Sequence, residues 1–196
     1  SGGGGGNPGA GANDPETGLS LTSSFAVGSQ PAFGSDVFAD EDAAFAIDFT
    51  GLDGSAGGLI YEQGGSGDGL YIGFAANGDF HLRAGDGGGA IGTRDDHGYI
   101  IVPAASAPSG DGTLAFEATP GTNTVRAVWY VSGTDTATEL GTPVDRVTGT
   151  GDWANNGNSN YLQTTVSGGV PEGQVPTVVP YTTASALRYY RNQTLA

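Results

Sequence analysis

The chain has 196 residues, a length suited to one domain, with 37 glycines and a formal net charge of −15 from 21 acids against 6 bases. Six bases, all arginine, against 21 acids leave no clustered cations, which excludes a phosphate-neutralising nucleic-acid surface and argues against an anionic membrane surface. Hydrophobic residues supply only 37% of the chain, so its sixteen Phe and Tyr residues, with Trp129 and Trp153, must carry much of any core.

Residues 1–18 are low in complexity, rich in Gly, Pro, Asn and Asp, and cannot bury enough surface to order themselves. They are read as an N-terminal arm, either a passive linker or a tether held by another protein subunit of an assembly. A single domain is expected over 19–196. Short strands follow at 19–22, 25–27, 37–38 and 45–49, with the acidic turn Asp40-Glu41-Asp42 before the last. Residues 59–61, 70–74 and 80–83 then form three more, and Asn77-Gly78 signals a hairpin because both residues tolerate positive φ. A strand at 99–102 stops at Pro103. Residues 113–118 and 124–131 read as a second hairpin, with Val125, Ala127, Trp129 and Val131 on one face. Weaker strands are read at 137–140 and 161–166, and 187–190 closes the set. No window keeps a helical period. Some dozen short strands between turns predict an all-β, antiparallel two-sheet β-sandwich with a Gly-rich N-terminal arm.

The run GGLIYEQGG…DGLYIGFAANGDFHLRAGDG, over 57–87, resembles the central strands of laminin-G-like, concanavalin A-like jelly-roll domains. AAFAIDF at 43–49 resembles their early strand, and ALRYYRNQTL at 186–195 their closing strand. The resemblance spans about 25–195. It implies a concanavalin-like jelly roll and a lectin-like or glucanase-like ancestry. Such glucanases carry a Glu-x-Asp-x-x-Glu strand, and this sequence has none. Glu62 and Glu117 stand alone on their strands, whereas a retaining glycosidase needs two carboxyl groups about 5 Å apart. No Gly-x-Ser-x-Gly elbow is present.

The two histidines, His81 and His97, with no cysteine, make a structural zinc site improbable and leave no disulfide framework. Calcium is the candidate cation, since hard ions take oxygen ligands from loops rich in Asp, Asn and Gly. Asp95 and Asp96, and Asp152 in a second loop, are the candidate ligands; the resemblance implies calcium at such a loop rim. Ordinary solvated turns are the alternative. The second loop also suits a sugar: Trp153 offers an apolar face, and Asp152, Asn155, Asn156 and Asn158 offer hydrogen-bonding groups. Trp153 folded back over one end of the sandwich is the other reading. Asn192-Gln193-Thr194 matches a glycosylation sequon, a pattern short enough to arise by chance.

No apolar run approaches membrane-spanning length. A chain beginning Ser1-Gly2 is expected to be processed or trimmed. The acidic surface also suits a salty medium. Together these features predict a non-catalytic surface or structural protein of an extracellular assembly, such as a virion (capsid) decoration or fibre-type protein with a lectin-like domain that engages cell-surface glycans. A free carbohydrate-binding module of a secreted protein is the alternative, and a glycoside hydrolase the third reading.

Overall fold

The computed structural model describes residues 12–14, 16–26, 41–64, 69–85, 97–119, 124–142, 144–145, 160–162 and 184–195. The strand expected at 37–38 and the latter part of that expected at 161–166 lie outside them.

The strands in chain order are β1 (Ala12–Asn13), β2 (Ser20–Leu21), β3 (Ser23–Ala26), β4 (Ala43–Leu52), β5 (Gly58–Gly64), β6 (Gly69–Phe74) and β7 (Phe80–Gly85). They continue as β8 (His97–Val102), β9 (Gly110–Thr119), β10 (Thr124–Val131), β11 (Ala137–Glu139), β12 (Val144–Asp145), β13 (Asn160–Leu162) and β14 (Ala184–Arg191). Among the described residues the one helical piece is a single 3₁₀ turn, Ala104–Ser106. A seven-stranded sheet runs β11-β10-β9-β4-β14-β3, with β12 also on β10. A five-stranded sheet runs β13-β5-β6-β7-β8, and β1 pairs with β2 as a small hairpin. Every pairing in these sheets is antiparallel.

Alternation along each strand builds the core between the two large sheets. Phe45, Ile47 and Phe49 of β4, Leu114 and Phe116 of β9, and Leu187 and Tyr189 of β14 face inward from the seven-stranded sheet. Tyr61, Ile72, Phe74, Phe80, Leu82 and Ile100 meet them from the other. The centre is aromatic. Phe45 stacks on Phe116 with ring centres 4.8 Å apart, and Tyr189 and Tyr61 approach Phe45 at 5.3 and 5.8 Å. The second predicted hairpin forms as expected, with Thr119 opposite Thr124 and Val125, Ala127 and Trp129 in the core.

The Asn77-Gly78 hairpin forms too, but by a different turn. Phe74 pairs with Phe80, Gly78 N–H donates to the Ala75 carbonyl at 2.9 Å, and Ala75 N–H donates to the Asp79 carbonyl at 2.9 Å. Of the two residues only Gly78 has positive φ, at 87°. This is a three-residue loop closed by a glycine bulge rather than a two-residue turn. Asn77 contributes through its side chain, which exchanges hydrogen bonds with Asp79 at 2.9 and 3.1 Å.

A third layer covers the outside of the seven-stranded sheet. There Ala44, Ala46 and Ala115 leave room over which Leu21 of β2 and Leu195 of the C-terminal tail pack, beside Val128 and Tyr190. The β1-β2 hairpin thus includes residues 12–14 and 16–18 of the low-complexity segment. Asp14 turns the chain by accepting from Glu16 N–H and Thr17 N–H at 2.8 and 3.0 Å. The tail is tied to the same hairpin, because the Gln193 amide bonds both the N–H and the carbonyl of Ser20, at 2.9 and 2.6 Å.

Trp129 is 5% exposed and its ring lies 6.4 Å from that of Phe49. Trp129→Ala should therefore cost roughly 3–5 kcal/mol in chemical denaturation. A near-neutral shift in the unfolding midpoint would place the indole outside the core.

Candidate functional site

With one face of the five-stranded sheet buried in the core, its other face is the one free to differ. Strand register assigns positions to that face. Tyr161 of β13 pairs with Glu62 of β5, Glu62 with Tyr71 of β6, Tyr71 with Arg83 of β7, and Arg83 with Tyr99 of β8. These five positions form one row across the sheet. The neighbouring row, Tyr61, Ile72, Leu82 and Ile100, belongs to the core, so by alternation the Tyr-Glu-Tyr-Arg-Tyr row belongs to the outer face. An extra residue, Ile60, sets this register. The pairing shifts between Leu59 and Tyr61, which lets Ile60 and Tyr61 both enter the core.

Glycines flank the row on one side and larger residues on the other. On one side Gly64, Gly69 and Gly85 pair in succession, ending at His97. On the other, Leu59, Gly73, His81 and Ile101 pair across the sheet. Gly73 is obligatory, since a Cβ there would lie 2.5 Å from the Gly58 carbonyl oxygen. Exposure rises along this second flank. Leu59 is fully buried, His81 is half-buried, and Ile101 is 48% exposed, so the face opens toward β8. Burial holds the His81 imidazole below its ordinary pKa, against the pull of nearby Asp79. Its Nδ1 is buried with no hydrogen-bond partner among the described residues. A neutral ring is what that environment favours.

The sequence matches no family model. No curated protein matches it either. Solved structures do. The CBM40 of the Ruminococcus gnavus IT-sialidase, bound to α2,3-sialyllactose, superposes with a TM-score of 0.50 at 14% identity, covering 80% of this chain and 78% of that one. Domains LG4-5 of the mouse laminin α1 chain give 0.50 at 14%, covering 96% and 47%. The NanB sialidase of Streptococcus pneumoniae gives 0.53 at 12%, covering 97% of this chain and 26% of that one. The fold is a laminin-G-like, concanavalin-type jelly roll.

The site residues expected from sequence, Asp95, Asp96, Asp152, Trp153, Asn155, Asn156 and Asn158, lie outside the described residues. The strands that follow them in sequence do not. β8 and β13 are the two edge strands of the jelly roll's five-stranded sheet, and both begin at the end marked by Gly64, Gly69 and Gly85. Sequence reading missed the Tyr-Glu-Tyr-Arg-Tyr row. Its members were visible singly, but only register aligns them. At the opposite end of the sheet, Asp53, Ser55, Asn77 and Ser109 rim a shallow cleft of about 240 Å³. Asp53 accepts from Ser55 N–H at 2.9 Å and Asp79 from Ala104 N–H at 2.9 Å, so these acids serve the loops themselves. Among the described residues no group of three His, Asp or Glu side chains stands together to hold a metal ion.

The remaining charges hold the jelly roll's outer layer in place. Arg188 grips Asp48 with two hydrogen bonds of 2.7 and 2.8 Å, and its Nε lies 2.6 Å from Asp14. Asp14 also accepts from the Tyr190 hydroxyl, and Asp48 from the Thr113 hydroxyl at 2.6 Å. Glu117 is buried and accepts from Leu195 N–H at 2.5 Å, while Arg126 donates to the Leu195 carbonyl at 3.4 Å. Burial raises the Glu117 pKa, and the Leu195 N–H opposes that shift. Between the ordinary value of 4.5 and the raised one, the folded chain holds a proton that the unfolded chain has lost. The contribution of Glu117 to stability therefore falls as pH rises through that window. Glu117→Gln removes the titration while keeping an acceptor for Leu195. Its melting temperature relative to the parent should climb as pH rises above 4.5 and then level off, as read by thermal denaturation across pH 4–8. A constant difference would mean that Glu117 titrates as it does in the unfolded chain.

Proposed function

We propose that this domain is a non-catalytic, lectin-like carbohydrate-binding domain whose site is the outer face of the five-stranded sheet. The observation that carries the reading is the strand register, which aligns three tyrosine positions with Glu62 and Arg83 between them and sets glycine positions along one flank. Tyrosine rings offer apolar faces to sugar rings, while a carboxylate and a guanidinium offer acceptors and donors to hydroxyl groups. A glycine flank lets a ligand approach the sheet closely. The row holds a single carboxylate, and glycoside hydrolysis calls for two. The resemblance in fold to a CBM40 bound to sialyllactose is consistent with this role.

In sequence, Trp153 shortly precedes β13, whose Tyr161 pairs with Glu62, and Asp95 and Asp96 directly precede β8, whose Tyr99 pairs with Arg83. On this reading Trp153, with Asp152, Asn155, Asn156 and Asn158, extends the row at one edge, and calcium on Asp95, Asp96 or Asp152 orders the rim. Titration calorimetry against a broad glycan panel tests the whole. Tyr71→Ala, Tyr99→Ala and Trp153→Ala should each weaken binding by about 0.5–1.5 kcal/mol per lost ring contact while leaving the fold intact. A chelator should weaken it further. A panel without hits would leave a purely structural role.

The setting we propose is an extracellular assembly such as a virion surface, with the N-terminal segment as the tether to other subunits. Support comes from the opposed faces of the domain. The β1-β2 hairpin pins the chain against the outer side of the seven-stranded sheet, so Ala12, where the described chain begins, lies on the side away from the proposed glycan face. Deleting residues 1–11 should leave the melting temperature unchanged and abolish incorporation into the assembly. Deleting 1–18 also strips Asp14 from Arg188 and Tyr190, so it should lower stability. Full incorporation of the shorter chain would reduce the segment to a passive linker.

A further inference from the structure

Resting on the extracellular setting proposed above, we infer that Asn192 is a modification site, its side-chain amide accepting an oligosaccharide from a lipid-phosphate-linked donor. Of the chain's asparagines, Asn192 alone is followed two positions on by Ser or Thr, in Asn192-Gln193-Thr194. Three residues alone arise easily by chance. What distinguishes this set is how the fold presents it. Asn192 directly follows β14, at the turn that sends the tail over the outer side of the seven-stranded sheet, where Leu195 is buried. Its φ is 57°, the one positive value at a non-glycine residue among the described residues. Its backbone N–H donates to the Asp42 carbonyl at 2.8 Å. Both neighbours are fastened. Arg191 grips Glu41 with hydrogen bonds of 2.6 and 2.9 Å, and Gln193 holds Ser20 through the N–H and the carbonyl. Burial then alternates: Asn192 and Thr194 are exposed, Gln193 is half-buried and Leu195 is buried.

The Asn192 amide and the Thr194 hydroxyl make no hydrogen bond with any described residue. A fixed turn thus offers both groups to solvent. The turn by itself explains only one of them. It needs a residue that tolerates left-handed backbone, which glycine or aspartate would supply as well as asparagine. It has no use for a hydroxyl at position 194. An acceptor site uses both, the amide as the group modified and the hydroxyl as the group by which the transferring enzyme recognises it. In the transfer, the Asn192 amide nitrogen bonds to the anomeric carbon of the donor sugar. The bond from that carbon to the phosphate oxygen breaks, the lipid phosphate leaves with the electron pair, and the amide gives up one proton to a base of the enzyme. The product is a bulky, hydrated group on the surface. It stands over the seam where the tail meets β2, and no described contact has to break to make room for it.

Peptide mapping by mass spectrometry tests the site on two preparations of the whole chain. One comes from its native cells, and the other is secreted behind an export signal by a eukaryotic cell that transfers such glycans. In both, the peptide containing Asn192 should carry added mass in whole sugar units, placed on Asn192 by fragmentation. Thr194→Ala and Asn192→Asp should each lose that mass in the secreted preparation. Aspartate keeps the left-handed turn, so the Asn192→Asp chain should melt at the temperature of the unmodified parent. Thr194→Ser keeps the hydroxyl and should retain the modification, which separates recognition of the acceptor from any disturbance of the tail. A secreted, folded parent with no added mass would overturn the site. So would a native chain found outside the cell with Asn192 bare. Modification of the secreted chain, with the native chain confined inside the cell, would overturn the extracellular setting and leave Asn192 a competent acceptor.

Discussion

The contact on which the rest of this domain depends is the aromatic stack at its centre. Phe45 and Phe116 lie face to face at 4.8 Å on neighbouring strands of the seven-stranded sheet, with Tyr189 beside them and Tyr61 reaching across from the five-stranded sheet. A chain with 37 glycines and few long aliphatic residues cannot spread burial evenly. It must concentrate it. A buried ring removes about 150–250 Å² from water, worth several kcal/mol at about 25 cal/mol per Å². Four such rings in mutual contact join β4, β9 and β14 to β5. The shorter strands extend from this centre by pairing.

Concentrating bulk between the sheets leaves their outer faces free to diverge. Outside the seven-stranded sheet the positions opposite the aromatic ones are Ala44, Ala46 and Ala115, small enough for a third layer to settle on. Across the five-stranded sheet the same alternation sets the Glu62, Tyr71, Arg83 and Tyr99 positions in a row next to the core row. One face is thus closed by the chain's own N-terminal hairpin and C-terminal tail. The other carries the row on which the proposed function rests.

What was legible in the sequence follows from how local each signal is. The β9-β10 hairpin and the β5-β6-β7 meander declare themselves through alternation and turn residues within some ten positions. Trp129 could be assigned to the core from its own strand. The N-terminal hairpin could not, because its partner positions lie about 170 residues away, at Arg188, Tyr190 and Gln193. Its one local sign was Asp14-Pro15-Glu16-Thr17-Gly18, a sequence that favours a turn held by the aspartate side chain. The outer row was hidden for a related reason. Which residue of β5 stands opposite Tyr71 depends on the bulge at Ile60, and an Ile in a run of apolar residues gives no hint that it is the extra one. The turn at Asn77 shows the converse, where the right element is reached by a different backbone route.

The way the third layer is fastened also follows from composition. Strands of two residues, as in β1 and β2, specify register weakly, and a glycine-rich segment could slide or pair elsewhere. Apolar contacts through Leu21 and Leu195 add area without direction. Asp14 supplies the direction. Its carboxylate takes two backbone N–H groups of its own turn, the Tyr190 hydroxyl and the Arg188 guanidinium, a set of partners that no shifted register would reproduce. Burying that carboxylate is costly unless every partner is in place, which makes the cost itself a selector of one arrangement. Arg188 in turn is held by Asp48, so the hairpin locks onto a group already oriented by the sheet. The polar network thereby fixes the hairpin, and Ala12 with it, against the outer side of the seven-stranded sheet.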